Sequence, residues 1–365
     1  MMRAFLLIWL VLASPLSHAM RVAFVNPGKS DETYWIQASN ALRAAAISLG
    51  VELEIHFAER DPLRQIVLTR EIAQRPPAER PDYLIIAPEK RTLLEQVEAA
   101  QRGAIKFMLA FSNVLPEDRA RFGTPRRETP LWLGSLVPHA EDAGALTAAA
   151  LIERGLTEGR LSADGRLHIL AIAGDRSTDV SIRRNRGMLN TLSGFSQVML
   201  DQQVFGDWRR DKANLQAREL LRRYPQTRLI WAGNDEMAFG AMDALIELGG
   251  EPGRTHLFSA INTSPAAMHA LIDGRLTALA GGHFMAGAWA LVMLYDYHHG
   301  HDFAESEGLE LDRPMFTLFT PDKARRFLEV FAQGVPAIDF RRYSKAHQAG
   351  LPRYDFRFDP LLELH

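Results

Sequence analysis

Short apolar runs alternate with longer segments of helical spacing along almost the whole chain. The first unit is the clearest. Val22 to Val25 reads as a fully buried strand, Asn26 to Thr33 as a polar loop, and a helix begins near Tyr34. The same sequence of strand, loop and helix recurs. Strands are expected at Val51–Phe57, Tyr83–Ala87, Ala104–Phe111 and Trp132–Leu136, with helices at Pro62–Gln74, Thr92–Arg102 and His139–Arg154 between and after them. A second series follows, with strands at Leu167–Ala173, Val198–Phe205, Arg228–Ala232, His256–Ile261, Ala278–Ala280 and Met315–Thr320. Its helices are expected at Val180–Leu192, Lys212–Arg223, Glu236–Leu248, Pro265–Ile272, Phe284–Tyr297 and Pro321–Gln333. Gly249-Gly250 stops one of them, as a C-cap should. Val114–Pro130 is polar and rich in proline and arginine, and reads as a loop.

Apolar runs separated by helices are the mark of mostly parallel sheets covered on both faces. Two such series, one on either side of Gly134, predict an α/β protein of two similar Rossmann-like lobes with a cleft between them. The length of 365 residues agrees, since it exceeds what one core of ordinary size holds. Before the first strand, Met1–Ala19 carries Arg3, an apolar run from Ala4 to Ala13, Pro15 and the small residues Ser17 and Ala19. That is the pattern of a cleavable signal peptide, too short to span a bilayer. The chain has no cysteine, so neither disulfides nor a lipid-accepting thiol follow the signal. A soluble protein outside the cytoplasm is expected. With 42 basic and 44 acidic residues, nothing suggests a nucleic-acid or anionic-membrane partner.

Ligands of open α/β sheets bind beyond the carboxyl ends of the strands. Candidate contacts therefore follow strand ends: Asn26, Tyr34 and Trp35 after the first, Asn234 and Asp235 after Arg228–Ala232, and Asn262 after His256–Ile261. An amide beside two aromatic rings suits a small polyhydroxylated ligand, which needs apolar faces to stack on and a donor–acceptor pair. Asn234 and Asp235 also suit a helix N-cap. Among Arg183, Arg184 and Arg186, one arginine can aim its planar fork at ligand oxygens. Gly28-Lys29-Ser30 imitates a phosphate loop, but position 23 is alanine where that loop needs glycine. Asp296, His298, His299 and His301 read as a solvated helix end rather than a metal site.

These residues resemble the periplasmic sugar-binding proteins of the ribose-binding type, whose fold is shared by the effector domains of LacI repressors. VAFVNPG followed by Tyr34-Trp35, PDYLIIAPE (81–89), SIRRNRG (181–187), LIWAGNDEMAFGAMDAL (229–245) and ALIDGRLTALAGG (270–282) carry the likeness. The resemblance implies a type I binding protein with a three-segment hinge near Gly134, Gly282 and Pro314. It divides the chain into a first lobe (20–134 plus 283–313), a second lobe (135–282 plus 314–345) and a C-terminal tail (346–365). Its implied ligand contacts are Tyr34, Trp35, Arg184, Asn234, Asp235 and Asn262, and Asn26, Phe111 and His283 are expected beside them. Phe111, Ser112 and Asn113 replace the aspartate–arginine pair usual after the fourth strand, and Gly282 or His283 replaces a glutamine or arginine. A second resemblance is to the periplasmic receptor for the furanosyl signal autoinducer-2. Implied partners are a sugar-like small molecule and either an ABC permease or the periplasmic domain of a membrane sensor. The expected protein is a monomer that needs no cofactor and catalyses nothing. An enzyme acting on a sugar would require carboxylates paired across the cleft, and Asp175, Asp179 and Asp235 show no such pairing. Trp35→Ala is expected to abolish binding without disturbing the fold.

Overall fold

In the computed structural model, residues 19–331 and 333–364 are described. The expected signal segment lies outside them except for Ala19. The first lobe opens with β1 (Arg21–Asn26), α1 (Thr33–Leu49), β2 (Glu52–Phe57), α2 (Pro62–Gln74) and β3 (Tyr83–Ile86). It continues with α3 (Leu93–Arg102), β4 (Lys106–Ala110), the single turn α4 (Arg119–Phe122) and β5 (Trp132–Pro138). The second lobe comprises α5 (Ala140–Thr157), β6 (Leu167–Ala173), α6 (Asp179–Ser193), β7 (Val198–Phe205), α7 (Arg210–Arg223) and β8 (Leu229–Ala232). After these come α8 (Asp235–Glu247), β9 (Leu257–Ile261), α9 (Pro265–Ile272) and β10 (Ala278–Gly281). The chain returns to the first lobe for α10 (Ala286–His298) and β11 (Glu310–Arg313), then to the second for β12 (Thr317–Leu318) and α11 (Pro321–Phe331).

Each lobe holds a sheet of six strands, in the order β11-β5-β4-β3-β1-β2 and β12-β10-β9-β8-β6-β7. Every pairing is parallel except β12 on β10. The central strands are mostly apolar because helices cover both faces; every residue of β3, β5 and β6 is buried. Helix starts follow local chemistry. Asp61 caps α2 ahead of Pro62, and Ser264 caps α9 ahead of Pro265, each accepting from a first-turn amide.

The hinge differs from expectation at its first crossing. Ser135 to Pro138 continue β5 and pair with β11, so the chain leaves the first lobe after Pro138 rather than at Gly134. The strand expected over Met315–Thr320 shrinks to the two residues of β12, because only Thr317 and Leu318 reach β10. In contrast β11, with the charged sequence Glu-Leu-Asp-Arg, gives no apolar signal, yet it forms the sheet edge beside β5.

The C-terminal residues are not a loose tail. Trp289 of α10 stacks on Phe356 at 5.2 Å, and Phe340 and Tyr343 close around it. Phe358 then crosses to the second lobe, against Phe319, Phe327 and Phe331. Asp296, expected in a solvated helix end, is fully buried. It accepts hydrogen bonds from the Ser344 hydroxyl, the Lys345 and Ala346 amides and the Tyr354 hydroxyl. This segment straps the two lobes together behind the hinge.

Candidate functional site

The two sheets point their carboxyl ends at one another, and a pocket lies between them. About 490 Å³ of space, partly continuous with solvent, is lined by Tyr34, Trp35, Arg60, Glu89, Phe111 and Ser112 from the first lobe. Val180, Arg184, Trp208, Asn234 and Asn262 line it from the second, and His283 from the hinge.

The first-lobe wall is aromatic. Trp35 meets Phe111 edge-on with ring centroids 5.2 Å apart and Tyr34 at 5.0 Å, while Phe24 stacks on Phe111 at 5.8 Å. Trp35 is only 3% exposed, so it is a core residue whose edge reaches the pocket. Close by, Arg60 is held by Glu32 through two hydrogen bonds and by Glu89 at 2.7 Å. Burial opposes the charge on Arg60, but the two carboxylates more than offset it and keep its pKa raised. Burial pushes the Glu89 carboxyl up, with Arg60 partly countering.

On the second lobe, Arg184 is placed by glycine. A Cβ on Gly187 would lie 2.0 Å from the Glu141 carbonyl oxygen, and one on Gly144 would lie 1.9 Å from the Arg184 carbonyl oxygen. With no Cβ at either position, α5 and α6 pack close enough to bring Arg184 to the pocket, which gives the Arg-x-x-Gly spacing its physical meaning. Its guanidinium donates to the Gly233 carbonyl oxygen and to His283 Nε2, both at 2.8 Å. Burial lowers its pKa to about 10. Burial and the neighbouring Arg184 hold His283 well below its ordinary pKa, so it is neutral. Its ring lies between Tyr34 at 4.8 Å and Phe316 at 4.5 Å.

The geometry sorts the expected residues. Tyr34, Trp35, Phe111, Arg184, Asn234, Asn262 and His283 all line the pocket. Asn234 caps α8 by accepting from the Met237 amide, so its cap role and its place in the cleft coincide. Asn26 and Asp235 do not line it. Asn26 is fully buried, donating to the Ser39 hydroxyl and accepting from the Gly28 amide; both ends of its amide are used to shape the loop. Asp235, on the first turn of α8, turns back to accept from Asn262 at 2.8 Å and so positions that amide. Burial raises its pKa.

Sequence reasoning missed Arg60, Glu89, Ser112 and Trp208. All four lie just beyond strand ends, the rule that found Asn234 and Asn262, and would have found them had it been applied to β2, β3, β4 and β7. Trp208 adopts a positive φ of 64°, donates to Asp175 at 2.8 Å and fills the space a Cβ on Gly174 would occupy. Among the described residues no group of three or more His, Cys, Asp or Glu could hold a metal ion, and no helix is long and apolar enough to cross a membrane.

Two parallel-sheet lobes joined by three hinge segments, with a pocket between their strand ends, define the type I periplasmic binding fold. The chain belongs to the family described as Periplasmic binding protein domain, matched over residues 22–302. A periplasmic sugar-binding protein from Pseudomonas fluorescens is 37% identical, with a TM-score of 0.82 over 94% of this chain and 99% of that one. The galactofuranose-binding protein YtfQ of Escherichia coli K12 is 24% identical over 335 residues, covering 88% of this chain and 92% of its own. An arabinose-transporter binding protein from Shewanella sp. ANA-3, solved with α- and β-L-arabinofuranose, shares the fold with a TM-score of 0.71 at 21% identity, over 86% of this chain and 96% of that one.

Proposed function

We propose that this protein captures a small sugar between its lobes and delivers it, chemically unchanged, to an ABC permease. The observation that carries the reading is the two-sided pocket: aromatic edges on the first lobe face an arginine and two amides on the second. A ligand touching both walls binds the closed form better than the open one and shifts the population towards closure. The furanose-binding relatives favour a five-membered sugar ring. Cleavage of the amino-terminal segment would release the mature chain as a free periplasmic monomer.

Binding without catalysis is supported by the state of the carboxylates. Glu32 and Glu89 are both on the first lobe and bound to Arg60. Asp175 accepts from Ser177, Thr178 and Trp208, and Asp235 from Asn262. Among the described residues no carboxylate pair flanks the pocket across the two lobes, as glycoside hydrolysis would need.

The test is a thermal-shift screen of the mature chain with pentoses, hexoses, polyols and furanones, followed by mass spectrometry of whatever is released on denaturation. A ligand that binds only the folded state raises the midpoint by mass action. A midpoint rise with a sugar recovered intact supports the reading. A shift with furanones alone would favour the signalling receptor instead, and a hydrolysed sugar would indicate an enzyme.

A further inference from the structure

An ion in a protein interior is costly unless a counter-ion accompanies it. Arg184 has none. It is 4% exposed, and both its hydrogen-bond partners, the Gly233 carbonyl and the His283 ring, are neutral. Among the described residues no carboxylate forms an ion pair with it. The acids nearest the pocket make their hydrogen bonds elsewhere, Glu32 and Glu89 with Arg60 and Asp235 with Asn262, so Asp235 and Glu89 act on Arg184 only through space and without contact. With a pKa of about 10, Arg184 stays a cation at neutral pH.

The donors around it point the same way. Arg184 Nε, His283 Nδ1 and Trp35 Nε1 are buried atoms without a hydrogen-bond partner. Because His283 Nε2 accepts from Arg184, the ring proton sits on Nδ1. Three N–H groups on residues lining one pocket therefore lack an acceptor, and one of them belongs to the unpaired cation. A hydroxyl could satisfy a donor but would leave the cation without a carboxylate in contact. A carboxylate accepts through both oxygens, matches the guanidinium fork and supplies a counter-charge in direct contact.

We infer that the ligand of this cleft carries an anionic group, a carboxylate on a small sugar, seated against Arg184. This rests on the reading of the cleft as a sugar site and narrows it to sugar acids. The carboxylate faces the second lobe while the sugar ring meets Trp35 and Tyr34 on the first, so one molecule engages both walls.

Isothermal titration of the mature chain with matched pairs tests this: D-galactose against D-galacturonate, and D-glucose against D-glucuronate. The acid of at least one pair should bind tenfold or more tightly than its neutral partner, with the advantage shrinking as salt is added. In Arg184→Gln the ratio of acid to neutral affinity should fall to within twofold of one, and Arg184→Lys should recover part of it. If Arg184→Gln does not fold, the wild-type ratio and the lysine variant still decide. Neutral sugars binding as tightly as their acids would overturn the inference while leaving the sugar reading intact. If no member of either pair binds, the sugar reading falls and the inference with it.

Discussion

Replacing Trp35 by alanine should damage the fold as well as the site, contrary to what the sequence alone suggests. The side chain is 3% exposed and packed against Phe24, Tyr34 and Phe111. Truncating a buried tryptophan costs about 3–5 kcal/mol. Against a total stability on the order of 10 kcal/mol the variant stays folded, but its melting point should fall by roughly 10 °C. Trp35→Phe keeps most of the apolar contact and gives up an Nε1–H that has no partner, so its loss should be under about 1.5 kcal/mol. The assay is a thermal melt of both variants and wild type, bare and titrated with L-arabinose, D-galactose and D-galacturonate. The phenylalanine variant should keep most of any ligand-induced shift, and the alanine variant should lose it on top of its lower baseline. An alanine variant that melts like wild type would refute the packing argument, and one that keeps the full shift would remove Trp35 from the site.

Asp179 predicts a pH effect at the lobe boundary, where it accepts from the Asn113 amide of the opposite lobe. Burial raises its carboxyl to about 6. A carboxyl with a folded pKa above its unfolded one adds stability in acid, and this is lost as pH rises from about 4 through 6. Asp179→Asn should therefore stabilise by roughly 1–3 kcal/mol at pH 7.5 and gain nothing at pH 4; a gain independent of pH, read from paired melts, would contradict this. Asp296→Ala removes the acceptor of four donors, two of them backbone amides. It should cost on the order of 4 kcal/mol and expose residues 333–364 to limited proteolysis. Gly282 has φ of 109°, and a Cβ there would lie 2.4 Å from Phe358 Cγ. Gly282→Ala should lower the melting point by several degrees, and a neutral result would mean the strap does not press on the hinge.

The layered architecture was legible because a strand buried on both faces must be mostly apolar, which separates it from amphipathic helices. The same logic fails at sheet edges: β11 needs only Leu311 buried, so Glu310, Asp312 and Arg313 disguise it. For the site, chain position beyond a strand end is readable but side-chain direction is not. Asn26 and Asn262 occupy equivalent places, yet one amide folds the loop and the other lines the pocket. The strap was invisible for a related reason. Its aromatic residues, from Phe340 to Phe358, follow no helical or strand period and are read as buried only once α10 and α11 are there to receive them.

Amide hydrogen exchange with and without a bound sugar acid or sugar measures most directly whether one ligand joins the two lobes. Protection should rise together on the first-lobe rim, over residues 32–36 and 111–113, and on the second, over residues 180–185, 233–236 and 261–263. Protection confined to one lobe, or lying away from these strand ends, would contradict a ligand held between them.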